Sequence, residues 1–232
     1  MNICENLKKI QEIVTVKARK VGRDPKDIKI LGAIKAQPLE KILKAISCGL
    51  KFVGENYIQE ARERIPFIKK KYPYVEAHFI GHLQTNKVKY AIKLFDMIET
   101  VDRISLVDEL QKRLSKENKF MDILIEVKLS NEETKTGCLP ENLFKLVEYI
   151  LEKGKNLNLK GLMTIPPYFE DKEKVRPYFA KLRELKEKIE KKYLLNLPEL
   201  SMGMSHDFDI AIEEGATIIR IGTALFGERL KK

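Results

Sequence analysis

Short apolar runs alternate with longer helical stretches about eight times along this chain. The runs fall at 30–34, 52–56, 77–81, 96–101, 122–129, 159–165, 200–204 and 217–221. Strands that run parallel need long crossover connections, and a helix is the usual one. The alternation therefore constrains the chain to an α/β fold built on a parallel sheet. Apolar residues at helical spacing predict a helix over 2–21, ahead of the first strand. Further helices are expected at 38–48, from the second strand through 68, and at 86–94, 103–116, 140–153, 172–193 and 207–214, with a last short segment from Gly222-Thr223. The 232 residues lie close to the ~250 typical of a (β/α)₈ barrel. The expected architecture is one such barrel over 1–232. An open doubly wound sheet is the runner-up, because periodicity does not show closure. No linker, low-complexity stretch or second domain appears.

Several function classes fall away. No apolar run approaches the ~20 residues a membrane span needs. The N-terminal stretch has neither an apolar core nor a small-residue cleavage site, so it does not read as a signal peptide. Cys4, Cys48 and Cys138 are far apart and form no CxxC pair. Neither a disulfide framework nor a zinc site is indicated, and a reducing cytoplasm fits. His78 and His82 sit in a strand-like run, where residues four apart are too distant to share a metal, and no HExxH is present. Lys+Arg exceed Asp+Glu by 44 to 34. The lysines interleave with acids in helical stretches such as 181–192, so the excess reads as a solvated face rather than a nucleic-acid footprint. The polar run 131–137 is a solvated loop or part of a lid.

In a barrel, the C-terminal ends of the strands carry the chemistry. Lys35 follows the apolar run 30–34, and Pro38 opens the next helix. Desolvating an ammonium is costly, so such a site favours the neutral amine that attacks carbonyls. Two readings stand: a Schiff-base lysine, or a strand-end lysine that snorkels to water. Arg220-Ile221-Gly222-Thr223 closes the last strand. A hydroxyl and a backbone N–H at the start of a helical turn suit an anion, and barrels often bind phosphate after strands seven and eight. Ser201 to Ser205 ends the preceding strand and can add donors. An ordinary glycine turn is the alternative.

These residues also carry a resemblance. Phe52-Val53-Gly54-Glu55-Asn56-Tyr57-Ile58-Gln59-Glu60, His78-Phe79-Ile80-Gly81-His82-Leu83-Gln84-Thr85-Asn86-Lys87, Leu200-Ser201-Met202-Gly203-Met204-Ser205 and Arg220-Ile221-Gly222-Thr223-Ala224-Leu225-Phe226-Gly227 are similar to the pyridoxal 5′-phosphate homeostasis protein family, the YggS/PROSC type, nearly end to end. The resemblance implies the fold-type III barrel of alanine racemase without its second β domain. It implies that Lys35 carries pyridoxal phosphate (PLP) as an internal aldimine. Ser201, Gly222 and Thr223 would hold the phosphate, with Met202 and Ser205 nearby. Arg220 would face the pyridine nitrogen, and Asn56 would line the pocket. The chain departs from the family at Ile34, Ala36-Gln37 and His206. An arginine at the ring nitrogen opposes its protonation, which weakens the ring as an electron sink. The implied role is a carrier that buffers or delivers the cofactor, with PLP-dependent apo-enzymes as partners, no nucleic acid, no membrane and a monomeric state. A racemase of the same fold type is the alternative. It needs two acid/base groups on opposite ring faces, and only Lys35 presents itself.

Overall fold

The computed structural model describes residues 2–130, 132 and 135–228. Of the polar run expected as a loop or lid, residues 131, 133 and 134 lie outside the described residues. Eight parallel strands close into a barrel in sequence order, with the last paired to the first. They are β1 (Lys29–Ala33), β2 (Phe52–Glu55), β3 (Glu76–Phe79), β4 (Met97–Val101), β5 (Met121–Glu126), β6 (Leu157–Met163), β7 (Glu199–Met204) and β8 (Ile218–Ile221). The open doubly wound alternative is thereby excluded.

Nine helices among the described residues surround the sheet: α1 (Ile3–Lys20), α2 (Leu39–Ser47), α3 (Ile58–Lys71), α4 (Val88–Leu94), α5 (Ile104–Glu117), α6 (Pro140–Lys153), α7 (Arg176–Tyr193), α8 (Phe208–Glu213) and α9 (Thr223–Phe226). The stretches expected as helices at 86–94 and 172–193 begin as 3₁₀ turns at Thr85–Lys87 and Lys172–Val175.

The core has two layers. Between sheet and helices lies a continuous apolar shell, to which α5 contributes Leu106, Val107, Leu110 and Leu114 at helical spacing. Inside the barrel, Leu31, Ile80, Met97, Leu124, Met163 and Ile218 form a separate cluster. Burying each such side chain contributes about 1.5–3 kcal/mol. Side chains alternate across a strand. Ile218 and Met97 therefore place Arg220 and Glu99, two residues on, on the same interior side nearer the mouth.

One expectation is overturned. Cys4 and Cys48 form a disulfide, with Cα atoms 5.4 Å apart. Cys4 lies in the first turn of α1, and Cys48 caps the end of α2. The two helices pack side by side on the barrel wall, a proximity that a separation of 44 residues conceals. The cysteine argument for a reducing compartment is removed with it. Cys138 is free and buried.

Candidate functional site

A cavity of about 260 Å³ opens at the C-terminal ends of the strands. Lys35, Asn56, Ser205, Arg220, Gly222 and Thr223 all line it, joined by Ala33, Ile80, Ile165, Met204 and His206.

Lys35 stands two residues beyond β1 and is half-buried rather than enclosed by the strand. Its turn is held from both sides. Ala36 adopts a left-handed φ of 56°, which is strained for a residue with a side chain, and its N–H donates to Glu60 at 3.0 Å. Arg64 Nη1 donates to the Ile34 carbonyl at 3.2 Å and to Glu55 Oε2 at 3.1 Å. Glu55 Oε1 in turn accepts from the Asn56 N–H at 2.8 Å. Burial pushes the Glu55 carboxyl up, against the backbone N–H of Asn56 and the Arg64 charge that pull it down. One carboxylate–guanidinium pair therefore ties the lysine turn to the Asn56 turn.

Asn56 presses against the next strand's turn. A Cβ on Gly81 would sit 2.2 Å from the Asn56 carbonyl, so only glycine permits this approach. Asn56 Oδ1 is buried with no hydrogen-bond partner, and an unmade bond at a buried polar atom is costly.

Around β8 the cavity is lined by donors. The N–H groups of Gly222 and Ala224 both donate to Ser205 Oγ, at 3.2 and 3.1 Å. Ser205 reaches them because Gly203 turns the chain at φ +93°, where a Cβ would come within 2.5 Å of Ala211 Cβ. Ser205 Oγ occupies the point where these two N–H groups converge, which an anion would take as the hydroxyl turns aside.

Arg220 is 4% exposed. Nη1 donates to Ser201 Oγ at 2.7 Å, and Nη2 donates to the Thr164 carbonyl at 2.8 Å. Ser201 Oγ donates to Glu99, whose other oxygen lies 2.6 Å from His78 Nδ1. Burial would lower the His78 pKa, but the carboxylates of Glu76 and Glu99 outweigh it and hold the imidazolium up at about 9. Glu76 lies 3.9 Å from His78 Nε2, a charge neighbour rather than a hydrogen bond. Burial alone would raise the Glu99 carboxyl; the neighbouring His78, Arg220 and Ser201 lower it instead.

Two residues expected at the phosphate are elsewhere. The Ser201 hydroxyl is committed inside the barrel to Arg220 and Glu99. Met202, on the opposite face of β7, packs in the outer apolar shell. Alternation along β7 puts Ser201 inside the barrel and Met202 in the outer shell, while Ser205 follows the Gly203 turn. Glu99 and Arg64, whose partners lie on distant segments, carry no signal in the sequence, and His206 stood there only as a departure from the family. His206 Nε2 lies 3.1 Å from the Phe169 carbonyl, and its ring stacks on Tyr168. His82 is half-exposed near Asp102. Among the described residues, no cluster suits a metal ion, and no helix is long and apolar enough to cross a membrane.

The model of the alanine racemase N-terminal domain matches residues 5–230. The pyridoxal phosphate homeostasis protein of Aquifex aeolicus is 52% identical over 229 residues, covering 99% of each chain. This chain belongs to that family. The Homo sapiens member is 38% identical over 90% of this chain and 81% of its own length. Among solved structures, PipY of Synechococcus elongatus, determined with PLP bound, superposes with a TM-score of 0.86 at 29% identity, over 97% of this chain and all of that one. An alanine racemase of Clostridium difficile shares the fold alone, with a TM-score of 0.74 at 15% identity, and this chain spans 58% of it.

Proposed function

We propose that this protein is a cytoplasmic carrier of pyridoxal phosphate that buffers the cofactor or delivers it to PLP-dependent apo-enzymes. One observation carries the reading: an amine, an anion cradle and a buried guanidinium line a single cavity at the barrel mouth. The residues present fit the cofactor. The unpartnered Asn56 Oδ1 leaves a buried acceptor for a ligand donor, and the N–H groups at Gly222 and Ala224 suit a phosphate.

Lys35 would hold the cofactor's aldehyde carbon covalently through its ε-amine. Gly222, Thr223 and Ser205 would hold the phosphate, Arg220 would meet the ring nitrogen, and Asn56 would contact the ring substituents. When bound, the cofactor supplies an electrophilic carbon and an aromatic electron sink. Arg220 keeps a positive charge where a proton on that nitrogen would otherwise sit, so the sink is weak. His206 is the one titratable side chain on the described cavity wall besides Lys35 and Arg220. Its Nε2 donates to the Phe169 carbonyl, which leaves Nδ1 as its one open nitrogen. The weak sink favours a carrier over a racemase, and a monomer is proposed for it.

The test is an absorption spectrum of the purified protein before and after borohydride, with a peptide map of the reduced sample. The expected result is a yellow protein whose reduced adduct maps to Lys35, and a Lys35→Ala variant that holds no covalent cofactor. A colourless protein that takes up no added PLP overturns the reading. An assay for loss of optical activity with alanine, expected to show no turnover, separates carrier from racemase.

A further inference from the structure

Four side chains from four different strands form one chain across the barrel interior: Arg220 on β8, Ser201 on β7, Glu99 on β4 and His78 on β3. None is more than 4% exposed. Donor and acceptor roles in the chain are forced. A guanidinium only donates, so Ser201 accepts from Arg220 at 2.7 Å. The hydroxyl then has one proton left, and it goes to Glu99. Glu99 takes a second bond on its other oxygen from His78. A fully buried carboxylate between two cationic groups is tolerated because both compensate it; alone it would be expelled or protonated.

We propose that Glu99 is the positioning residue for Arg220, acting through the Ser201 hydroxyl, and thereby sets how the guanidinium meets the ring nitrogen of the bound cofactor. The proposal rests on the PLP reading above for its second half only. Arg220 has two anchors. The Thr164 carbonyl fixes one edge of the fork, and the Ser201 hydroxyl fixes the other. The hydroxyl could rotate, and Glu99 is what locks it. His78 lies behind Glu99 and holds its other oxygen, so the carboxylate does not turn. A planar fork gripped at two edges has one orientation, which is what a site that meets the in-plane nitrogen at the edge of a heterocycle requires.

Two variants separate the parts. Glu99→Gln keeps an oxygen for Ser201 but removes the charge. Ser201→Ala keeps the charge and removes the link. The first readout needs no cofactor: NMR of the arginine side chains in the PLP-free protein. Wild type is expected to show separate, slowly exchanging Nη signals for Arg220, assigned by their loss in Arg220→Lys, and both variants are expected to merge them. The second readout is the absorption maximum of protein loaded with PLP, together with its affinity. Both variants are expected to shift the maximum and bind at least tenfold more weakly, while borohydride still labels Lys35. Unchanged Nη signals in either variant overturn the positioning role, and Glu99→Asp, which draws the carboxylate back from Ser201, decides the matter if Glu99→Gln does not fold. Merged signals with an unchanged spectrum and affinity overturn the link to the cofactor. A wild type that binds no PLP defeats the functional reading instead, and the NMR result still decides whether Glu99 holds Arg220.

Discussion

At the scale of single residues, the barrel interior is organised by charges that cannot stand alone. Removing the Arg220 side chain takes a buried donor from Ser201 Oγ and from the Thr164 carbonyl, and a neighbouring positive charge from Glu99. Breaking a buried ionic network by deleting one member costs about 3–5 kcal/mol. Because His78 still faces Glu99, Arg220→Ala is expected near the lower end, about 3 kcal/mol, read as a fall in the denaturant midpoint. His78 gives the alkaline side of the stability profile. Its pKa is raised to about 9 in the folded state from an ordinary 6.5. A raised pKa means the folded state holds the proton more tightly, so this contribution is complete below about 6.5 and fades as pH climbs through 9. Unfolding experiments from pH 6.5 to 9.5 should show stability falling, and His78→Gln should flatten that slope.

At the scale of elements, three devices join segments that are distant in sequence. The Cys4–Cys48 disulfide staples α1 to α2. Closing a loop of 44 residues is worth roughly 4 kcal/mol in the chain-entropy view. Measured values often fall short of that, so reduction or Cys4→Ser should lower stability by about 2–4 kcal/mol. Melting with and without reductant checks it, and a thiol count under non-reducing denaturation should find one free cysteine, Cys138. A second device is Glu213 on α8, which accepts from Lys17 at 2.9 Å and Lys20 at 3.0 Å on α1, and from Arg176 at 2.9 Å on α7. Hydrogen bonds, Lys17's first, hold its carboxyl down at about 2 from 4.5. A depressed carboxyl stabilises above its unfolded pKa, so roughly 2–3 kcal/mol is lost as pH falls from about 4.5 to 2. Glu213→Gln should lower the plateau and remove that part of the acid transition. The third is the turn after β7. Gly203→Ala forces a Cβ to within 2.5 Å of Ala211 at φ +93°. Strain of this kind costs about 1–3 kcal/mol, or several degrees in Tm for a chain of this size. Because the turn delivers Ser205 to Gly222 and Ala224, the same variant should weaken phosphate binding beyond its effect on stability.

At the scale of the whole molecule, the barrel gathers one functional end. The lysine turn after β1, the Asn56 turn after β2 and the cradle after β8 meet because β1 pairs with both β2 and β8. Residues at the start and end of the chain thus share one cavity. Light scattering of the purified chain should return the mass of one 26.9 kDa subunit, with or without PLP; a dimer would contradict the monomer proposed above.

The alternation of apolar runs and amphipathic helices was enough to specify eight β/α units, because the period of burial is written in local residue order. Lys35, Asn56, Arg220, Gly222 and Thr223 were legible as mouth residues for the same reason: strand ends can be counted from the sequence. The tertiary structure alone decided the rest. Closure depends on β1 meeting β8, which no local pattern encodes. Ser201 and Met202 leave the cavity because strand alternation assigns them to the interior and the outer shell, and only the Gly203 turn returns the chain to the mouth at Ser205. Glu99 carried no reading in the sequence and His78 none beyond a rejected metal pair, because the partners Ser201 and Arg220 reach them only across the closed barrel. Cys4 and Cys48 meet for the same reason. Covalent and ionic partners are chosen by distance in space, and a linear chain states only distance along itself.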